Sequence, residues 1–148
     1  MSVWSEVGDR VFVRRYAFFD QNIVAILGDD GVLVVDTRST HVQADEILAD
    51  LATLTPHPVR AVVNTHGHFD HAFGNARFRP APIWGHERAS AMVRETGERK
   101  RVEIAANIPS IAADLAQVEL DPPDRTFTTE ATASQGPQTF PATKQTKC

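Results

Sequence analysis

The hydrophobic positions in the first third of the chain fall into short runs separated by turn residues, a pattern that predicts β-strands. The runs cover residues 10–14, 22–27 and 32–35, and they are rich in valine and isoleucine. The segment 29–31 (Asp-Asp-Gly) lies between the last two runs and indicates a β-hairpin. Because these two runs are almost entirely apolar, we expect both faces of the strands to be covered.

A helical period follows these strands. Thr40 and Gln43, three residues apart, form a capping-box pattern at the start of a helix. Apolar side chains then recur at helical spacing, at Ala44, Ile47, Leu48, Leu51 and Leu54. The pattern predicts an amphipathic helix that ends before Pro56, with His41 as an ordinary residue of its first turn and His57 as a loop residue beyond it.

The segment 60–65 predicts another buried strand, and it runs directly into a cluster of histidines. Strands that alternate with helices indicate an α/β fold, in which loops at the strand ends commonly carry the chemistry. Beyond the cluster the patterns predict a short helix over 72–78, an edge strand over 82–85, a helix over 86–94 and a helix-like segment over 98–118 that a proline interrupts.

The composition changes near residue 128. From there to residue 148 the chain is rich in Thr, Ala, Ser, Gln, Pro and Lys, and Phe140 is its one large apolar residue. Such a segment buries too little apolar surface to offset the entropy lost on ordering. We therefore predict a domain over residues 1–127 and a disordered tail over 128–148.

Length, charge and cysteine content narrow the classes of protein. The 148 residues suffice for one domain or for part of a larger one. The net charge is −4 and the one basic run, 99–101, fits a solvated helix face, so we expect no nucleic-acid partner. Cys148 is the single cysteine, which excludes an internal disulfide and a zinc site built on cysteines. We see no secretion signal or membrane span and expect a cytoplasmic protein.

The strongest chemical signal is the hexapeptide His66-Gly67-His68-Phe69-Asp70-His71. Imidazole and carboxylate groups are the ligands that zinc and similar divalent metals prefer. Residues 66 and 68 are alternate positions, so in an extended segment both imidazoles point to one side and can reach one ion. Asp70 and His71 follow closely enough for a second ion. The competing interpretation is a polar loop that is merely rich in histidine.

With these elements placed, the chain resembles the metallo-β-lactamase superfamily over residues 7–127. The features that carry the resemblance are the strand ending Val34-Val35-Asp36-Thr37, the amphipathic helix, the strand ending Asn64-Thr65, the hexapeptide and the continuation Ala72-Phe73-Gly74-Asn75. The resemblance implies a four-layer αββα sandwich, of which this chain would hold the first sheet-and-helix half and thus be truncated.

The resemblance also implies roles for individual residues. His66 and His68 would bind a first metal ion, and Asp70 and His71 a second. Asp36 would steady the loop by hydrogen bonds, and Asp70 could also orient the nucleophile. The implied cofactor is zinc, as one or two ions, with iron or manganese as alternatives. The implied reaction is hydrolysis of an ester, thioester, lactam or phosphodiester in a small-molecule substrate.

One departure from the family pattern bears on activity. The family completes its site with ligands from the second half of the domain, yet no histidine follows His86 in this sequence. His86 itself could approach the metal region, although a histidine near the surface at a helix start is commoner. A non-catalytic metal-binding remnant is therefore an alternative to a hydrolase, and an iron-containing redox member is another. Half of a sandwich would leave one sheet face uncovered, so we expect self-association or a partner chain.

Overall fold

A computed structural model describes residues 2–135 and 138–143 of the chain. In that part, seven strands form one sheet in the order in which they occur along the chain. They are β1 (Ser5–Gly8), β2 (Val11–Tyr16), β3 (Gln21–Leu27), β4 (Val32–Val35), β5 (Val59–Val63), β6 (Ile83–His86) and β7 (Arg125–Phe127). The first four strands pair antiparallel, whereas β4 to β7 pair parallel to one another.

Helices connect the parallel strands. The described residues form α1 (His41–Leu54), α2 (Phe69–Ala72), α3 (Glu87–Asn107) and α4 (Ala112–Ala116), with 3₁₀ turns at Phe18–Asp20, Asn75–Phe78 and Pro109–Ile111. The predicted start of α1 is confirmed, because the Thr40 side chain accepts a hydrogen bond of 3.2 Å from the backbone N–H of Gln43. Among these helices, none has the length and apolar character needed to cross a bilayer.

The two faces of the sheet carry separate hydrophobic clusters. Alternation along β4 shows this, since Val32 and Val34 belong to the cluster packed against α1, whereas Leu33 belongs to the other. The α1 cluster is the larger and includes Ile23, Ala44, Ile47, Leu51, Val62 and Ile83.

The second face is only partly covered. Ile26, Leu33 and Ala61 are buried there, but the apolar residues around them are half-buried: Val11, Val24, Val35, Val63 and Trp84. This face accords with the expected apolar surface of a half sandwich, and the self-association that we inferred from it stays a prediction.

Three of the predictions differ from the structure. The short helix expected over 72–78 is instead α2, which ends at Ala72, followed by the separate 3₁₀ turn Asn75–Phe78. Residues 82–85 were expected to form an edge strand, but β6 lies between β5 and β7. The sequence did not predict this inner position because the short β7 has no recognisable strand pattern. The helices expected over 86–94 and from 98 onward are one continuous helix, α3. Gly97 does not break it because this glycine is packed against Leu120, whose Cδ1 atom would lie 2.9 Å from a Cβ added at Gly97.

The described part of the C-terminal segment has a paired backbone, and the disordered tail expected over residues 128–148 stays a prediction. In that part, the backbone forms β8 (Glu130–Gln135) and β9 (Gln138–Thr143), which pair antiparallel in a separate two-stranded sheet. Residues 136–137 and 144–148 of the predicted tail lie outside the described residues.

Candidate metal centre

The hexapeptide lies at the carboxyl edge of the parallel strands. Asp36 directly follows β4, and the segment from Asn64 to His71 follows β5, its parallel neighbour. Parallel strands end at the same edge of a sheet, so the two loops meet there. Their backbones are joined where Asp36 N–H donates to Val63 O over 2.8 Å and Thr37 N–H donates to His71 O over 2.9 Å.

Asp36 is the acceptor at the centre of the site. Its carboxylate is buried and accepts hydrogen bonds of 2.7 Å from the Thr65 N–H, the Thr65 hydroxyl and His71 Nδ1. Its φ of 67° places it in the left-handed region, which aspartate tolerates better than most residues. The loop-steadying contacts that the resemblance implied for Asp36 are therefore present.

The same carboxylate orients His66 through Thr65. The Thr65 hydroxyl donates its one proton to Asp36, so its oxygen is left to accept from His66 Nδ1, which lies 2.9 Å away. This arrangement leaves His66 Nε2 with a free lone pair, the form in which imidazole binds a metal.

The structure brings three imidazoles of the hexapeptide into contact. The ring centroids of His66 and His68 are 4.5 Å apart, and those of His66 and His71 are 4.1 Å apart. Burial, together with the charges of His71 and His68, lowers the pKa of His66 and favours its neutral form.

The pKa of His71 is shifted in the opposite direction. Burial lowers its pKa, but hydrogen bonds to the carboxylates of Asp36 and Asp70 and their negative charges outweigh burial and raise the pKa to about 10. Its Nδ1 lies 2.7 Å from Asp36 and its Nε2 lies 3.3 Å from Asp70 Oδ2. Without metal, His71 is thus an imidazolium held between two carboxylates at neutral pH.

The donors do not yet form a coordination site. Among the described residues, no group of three or more His, Cys, Asp or Glu side chains is placed so that it could hold a metal ion. The Asp70–His71 contact supplies one reason, because a nitrogen that faces a carboxylate is not directed at a metal. The chemical types of the donors suit a divalent ion, but their positions would have to change on binding.

Two of the three histidines outside the hexapeptide are engaged elsewhere. His86 is buried at the start of α3, where Nδ1 accepts from Arg88 N–H and Nε2 donates to Thr128 O, each over 3.0 Å. Neither of its nitrogens is available for a metal, so His86 is a helix-start residue as expected, although it is buried rather than near the surface. His41 Nε2 accepts from the backbone N–H of Glu119.

A network of buried polar groups fixes the end of the hexapeptide. The backbone O of His71 accepts from the Thr37 N–H and from Asn64 Nδ2, and the Thr37 hydroxyl lies 3.1 Å away. Asn64 and Asn75 pair through both amides, with N···O distances of 2.9 and 2.7 Å. No buried side-chain nitrogen or oxygen in the described part lacks a hydrogen-bond partner, so this network holds the loop in one conformation.

A family model described as "Metallo-beta-lactamase superfamily" matches residues 16–144. The chain belongs to the metallo-beta-lactamase superfamily. No curated protein sequence is significantly similar to it.

Solved structures show the same fold at low sequence identity. A metallo-beta-lactamase from Pontibacter korlensis is 19% identical with a TM-score of 0.60, and the match covers 92% of this chain and 57% of that one. The FEZ-1 metallo-beta-lactamase from Legionella gormanii is 14% identical with a TM-score of 0.70, covering 92% of this chain and 50% of that one. The subclass B3 enzyme BJP-1 from Bradyrhizobium japonicum is 17% identical with a TM-score of 0.66, covering 93% and 49%. The α/β metallo-β-lactamase-like fold expected from the sequence is confirmed, and the chain spans about half the length of these relatives.

Sequence reasoning missed a second layer of support behind the hexapeptide. Gln21 Nε2 donates to the backbone O of Asp70 over 2.7 Å, and Gln21 Oε1 accepts from Arg38 Nε over 2.9 Å. Arg38 is buried and lies 3.9 Å above the ring of Tyr16. No local pattern marks these residues, since they come from separate strands and loops, and their grouping depends on the antiparallel pairing of β2 with β3.

Gln21→Leu is expected to lower the free energy of unfolding by about 2 kcal/mol, because it leaves both the Asp70 carbonyl and a buried guanidinium short of a partner. Asn22→Leu is the matched control, because this neighbouring side chain is exposed and should change stability by less than about 0.5 kcal/mol. Urea unfolding followed by circular dichroism measures both. Equal stability of the two variants would contradict the supporting role of Gln21.

Proposed function

We propose that this chain provides the metal-binding motif of a zinc-dependent hydrolase that acts on an ester, thioester, lactam or phosphodiester. The observation that carries the proposal is the contact of the His66, His68 and His71 rings at the carboxyl edge of the sheet. Membership of the metallo-beta-lactamase superfamily supports it. The proposal concerns the activity of a complete domain, because the chain spans about half of its structural relatives.

The donor set suits zinc, with iron and manganese as the alternatives. His66 and His68 would bind a first ion, and Asp70 and His71 would bind a second or complete the first. For that, the Asp70–His71 contact of 3.3 Å must be exchanged for the metal, and His71 must release the Nε2 proton. Asp36 would keep His71 oriented throughout, since it holds the opposite nitrogen.

Bound zinc would lower the pKa of a water molecule to about 7 and polarise the oxygen of the scissile bond. Hydrolysis then adds the hydroxyl of water to the acyl or phosphoryl group and its proton to the leaving group. Asp70 is suited to orient that water. In the metal-free chain, burial alone would raise the pKa of Asp70, but the hydrogen bond and charge of His71 lower it, so Asp70 is already a carboxylate before a metal binds.

Zinc titration of the purified chain tests the proposal. The wild-type chain is expected to bind zinc, and His66→Ala and His68→Ala should each weaken binding by at least about tenfold, because loss of a ligand costs more than loss of its supporting contact. His57→Ala is the matched control, as this exposed loop histidine lies outside the motif. Calorimetry and elemental analysis give affinity and stoichiometry. Equal zinc affinity in all four proteins would refute the assignment of ligands.

The alternative function is a metal-binding module without catalysis, completed by a partner chain or a second copy. Two observations favour giving it a test: the donors in the described part do not converge on a metal position, and the chain spans half of its relatives. A panel of thioester, β-lactam and phosphodiester substrates, assayed together with native mass, distinguishes the two. Zinc binding without turnover in any assembly state would favour the module.

A further inference from the structure

A cavity of about 410 Å³ opens beside the candidate metal centre. Gly67, His68 and Asp70 of the hexapeptide line one part of it, so the cavity is continuous with the proposed site. Its volume lies within the range of small-molecule sites in proteins. The rest of its wall comes from α2, α3 and Phe73.

The middle of the cavity is apolar. Phe69 of the hexapeptide and Phe73 just beyond it line one side, and Met92 and Ile104 line the other from α3. Side chains of this kind receive a hydrocarbon group, since burying each methylene favours binding by about 0.8 kcal/mol. The cavity therefore suits the apolar arm of a ligand better than a sugar or a nucleotide.

The cavity has opposite charges at its two ends. The hexapeptide contributes the Asp70 carboxylate, whereas α3 contributes Arg99 and Lys100. Lys100 is already paired with Glu103, but Arg99 is exposed and has no hydrogen-bond or ion-pair partner among the described residues. An anionic group would thus be repelled by Asp70 and attracted to Arg99.

Helix geometry fixes the order of these groups. A Cβ added at Gly67 would lie 3.0 Å from Met92 Cβ, so the hexapeptide packs against the first half of α3. Arg99 follows Met92 by seven residues, which is about 10 Å along the helix axis. Along the helix axis, Arg99 thus lies roughly 10 Å beyond the residue of α3 that packs against the hexapeptide.

We propose that the cavity binds the apolar arm of a substrate that carries an anionic group, such as a carboxylate, about 10 Å from the bond that is hydrolysed. This inference rests on the proposed function and adds the substrate class. Arg99 is the residue that selects the charge, and the wall around Met92 and Thr96 selects the apolar arm.

Binding of straight-chain carboxylates to the metal-free full chain tests the inference without relying on catalysis. At low ionic strength, calorimetry or ligand-observed NMR should show octanoate binding more tightly than butanoate, by about threefold to fourfold per methylene. Octanoate should also bind more tightly than octylammonium. No binding of octanoate, or no dependence on chain length, would overturn the proposed cavity ligand.

Paired variants on α3 separate charge from shape. Arg99→Gln should weaken octanoate binding by about threefold, while Arg94→Gln, an exposed arginine outside the cavity lining, should leave it unchanged. Thr96→Trp should fill the cavity and weaken binding at least about tenfold, while Glu95→Trp at the exposed neighbouring position should not. Equal effects within both pairs would show that the carboxylates bind elsewhere on the surface, and the inference would fall.

The result of the octanoate test can be told apart from the result of the zinc-binding test. A chain that binds zinc but not octanoate keeps the proposed function and loses this inference. A chain that binds octanoate with the expected variant pattern but does not bind zinc loses the proposed function, and with it the status of the ligand as a substrate.

Discussion

Asp36→Ala is expected to lower the free energy of unfolding by roughly 3–5 kcal/mol, the range found when one partner of a buried ion pair is removed. The change leaves the Thr65 N–H and hydroxyl and the Nδ1 of His71 without their shared acceptor. It also places alanine at a φ of 67°, which disfavours the folded loop further. Thermal and urea unfolding measure the loss.

Two further substitutions make this prediction specific. Asp36→Asn keeps a residue that tolerates positive φ but removes the charge, so it should cost less than alanine and still weaken zinc binding about tenfold or more. Asp30→Ala removes an exposed carboxylate in the turn before β4 and should change stability by less than about 0.5 kcal/mol. If Asp36→Ala and Asp30→Ala were equally stable, the central role of Asp36 would be disproved.

Gly74→Ala is expected to destabilise the chain by about 3 kcal/mol or more, because the backbone of Thr37 leaves no room for a side chain. A Cβ at this position would lie 2.0 Å from Thr37 O and 2.9 Å from Ala44 Cβ. To relieve this clash, the loop after β4 must move away, which breaks the hydrogen bond from Gly74 N–H to Arg38 O. Because that loop also holds His71 through Thr37, zinc affinity should fall together with stability.

Gly8→Ala is the matched control for this substitution. Gly8 is exposed, and a Cβ there would make only an ordinary contact of 3.7 Å with Val11. Its stability should stay within about 0.5 kcal/mol of the wild type. A Gly74→Ala chain as stable as Gly8→Ala would show that the loops can separate without cost, contrary to the close packing seen here.

The sequence was most informative where a pattern is local. Strands β3 and β4 and helix α1 were predicted within a residue or two, because apolar runs, a turn signal and a capping threonine act over a few residues. It was least informative where partners are distant. The inner position of β6 depends on β7, a three-residue strand about 40 positions later, and no local signal announces such a pairing.

By itself, the sequence determined that three histidines and an aspartate stand together after a buried strand, since adjacent residues cannot separate in space. Only the tertiary structure decided how three of these four residues are held: Asp36 from the neighbouring parallel strand directs His66 through Thr65 and contacts His71 directly, while Gln21 supports Asp70 from a third strand. Tertiary structure also decided that α3 forms one wall of the cavity beside them. The physical reason is that the local sequence sets which side chains are candidate metal ligands. The orientation and protonation of those side chains, and the shape of the cavity, depend on groups that strand pairing and packing bring together.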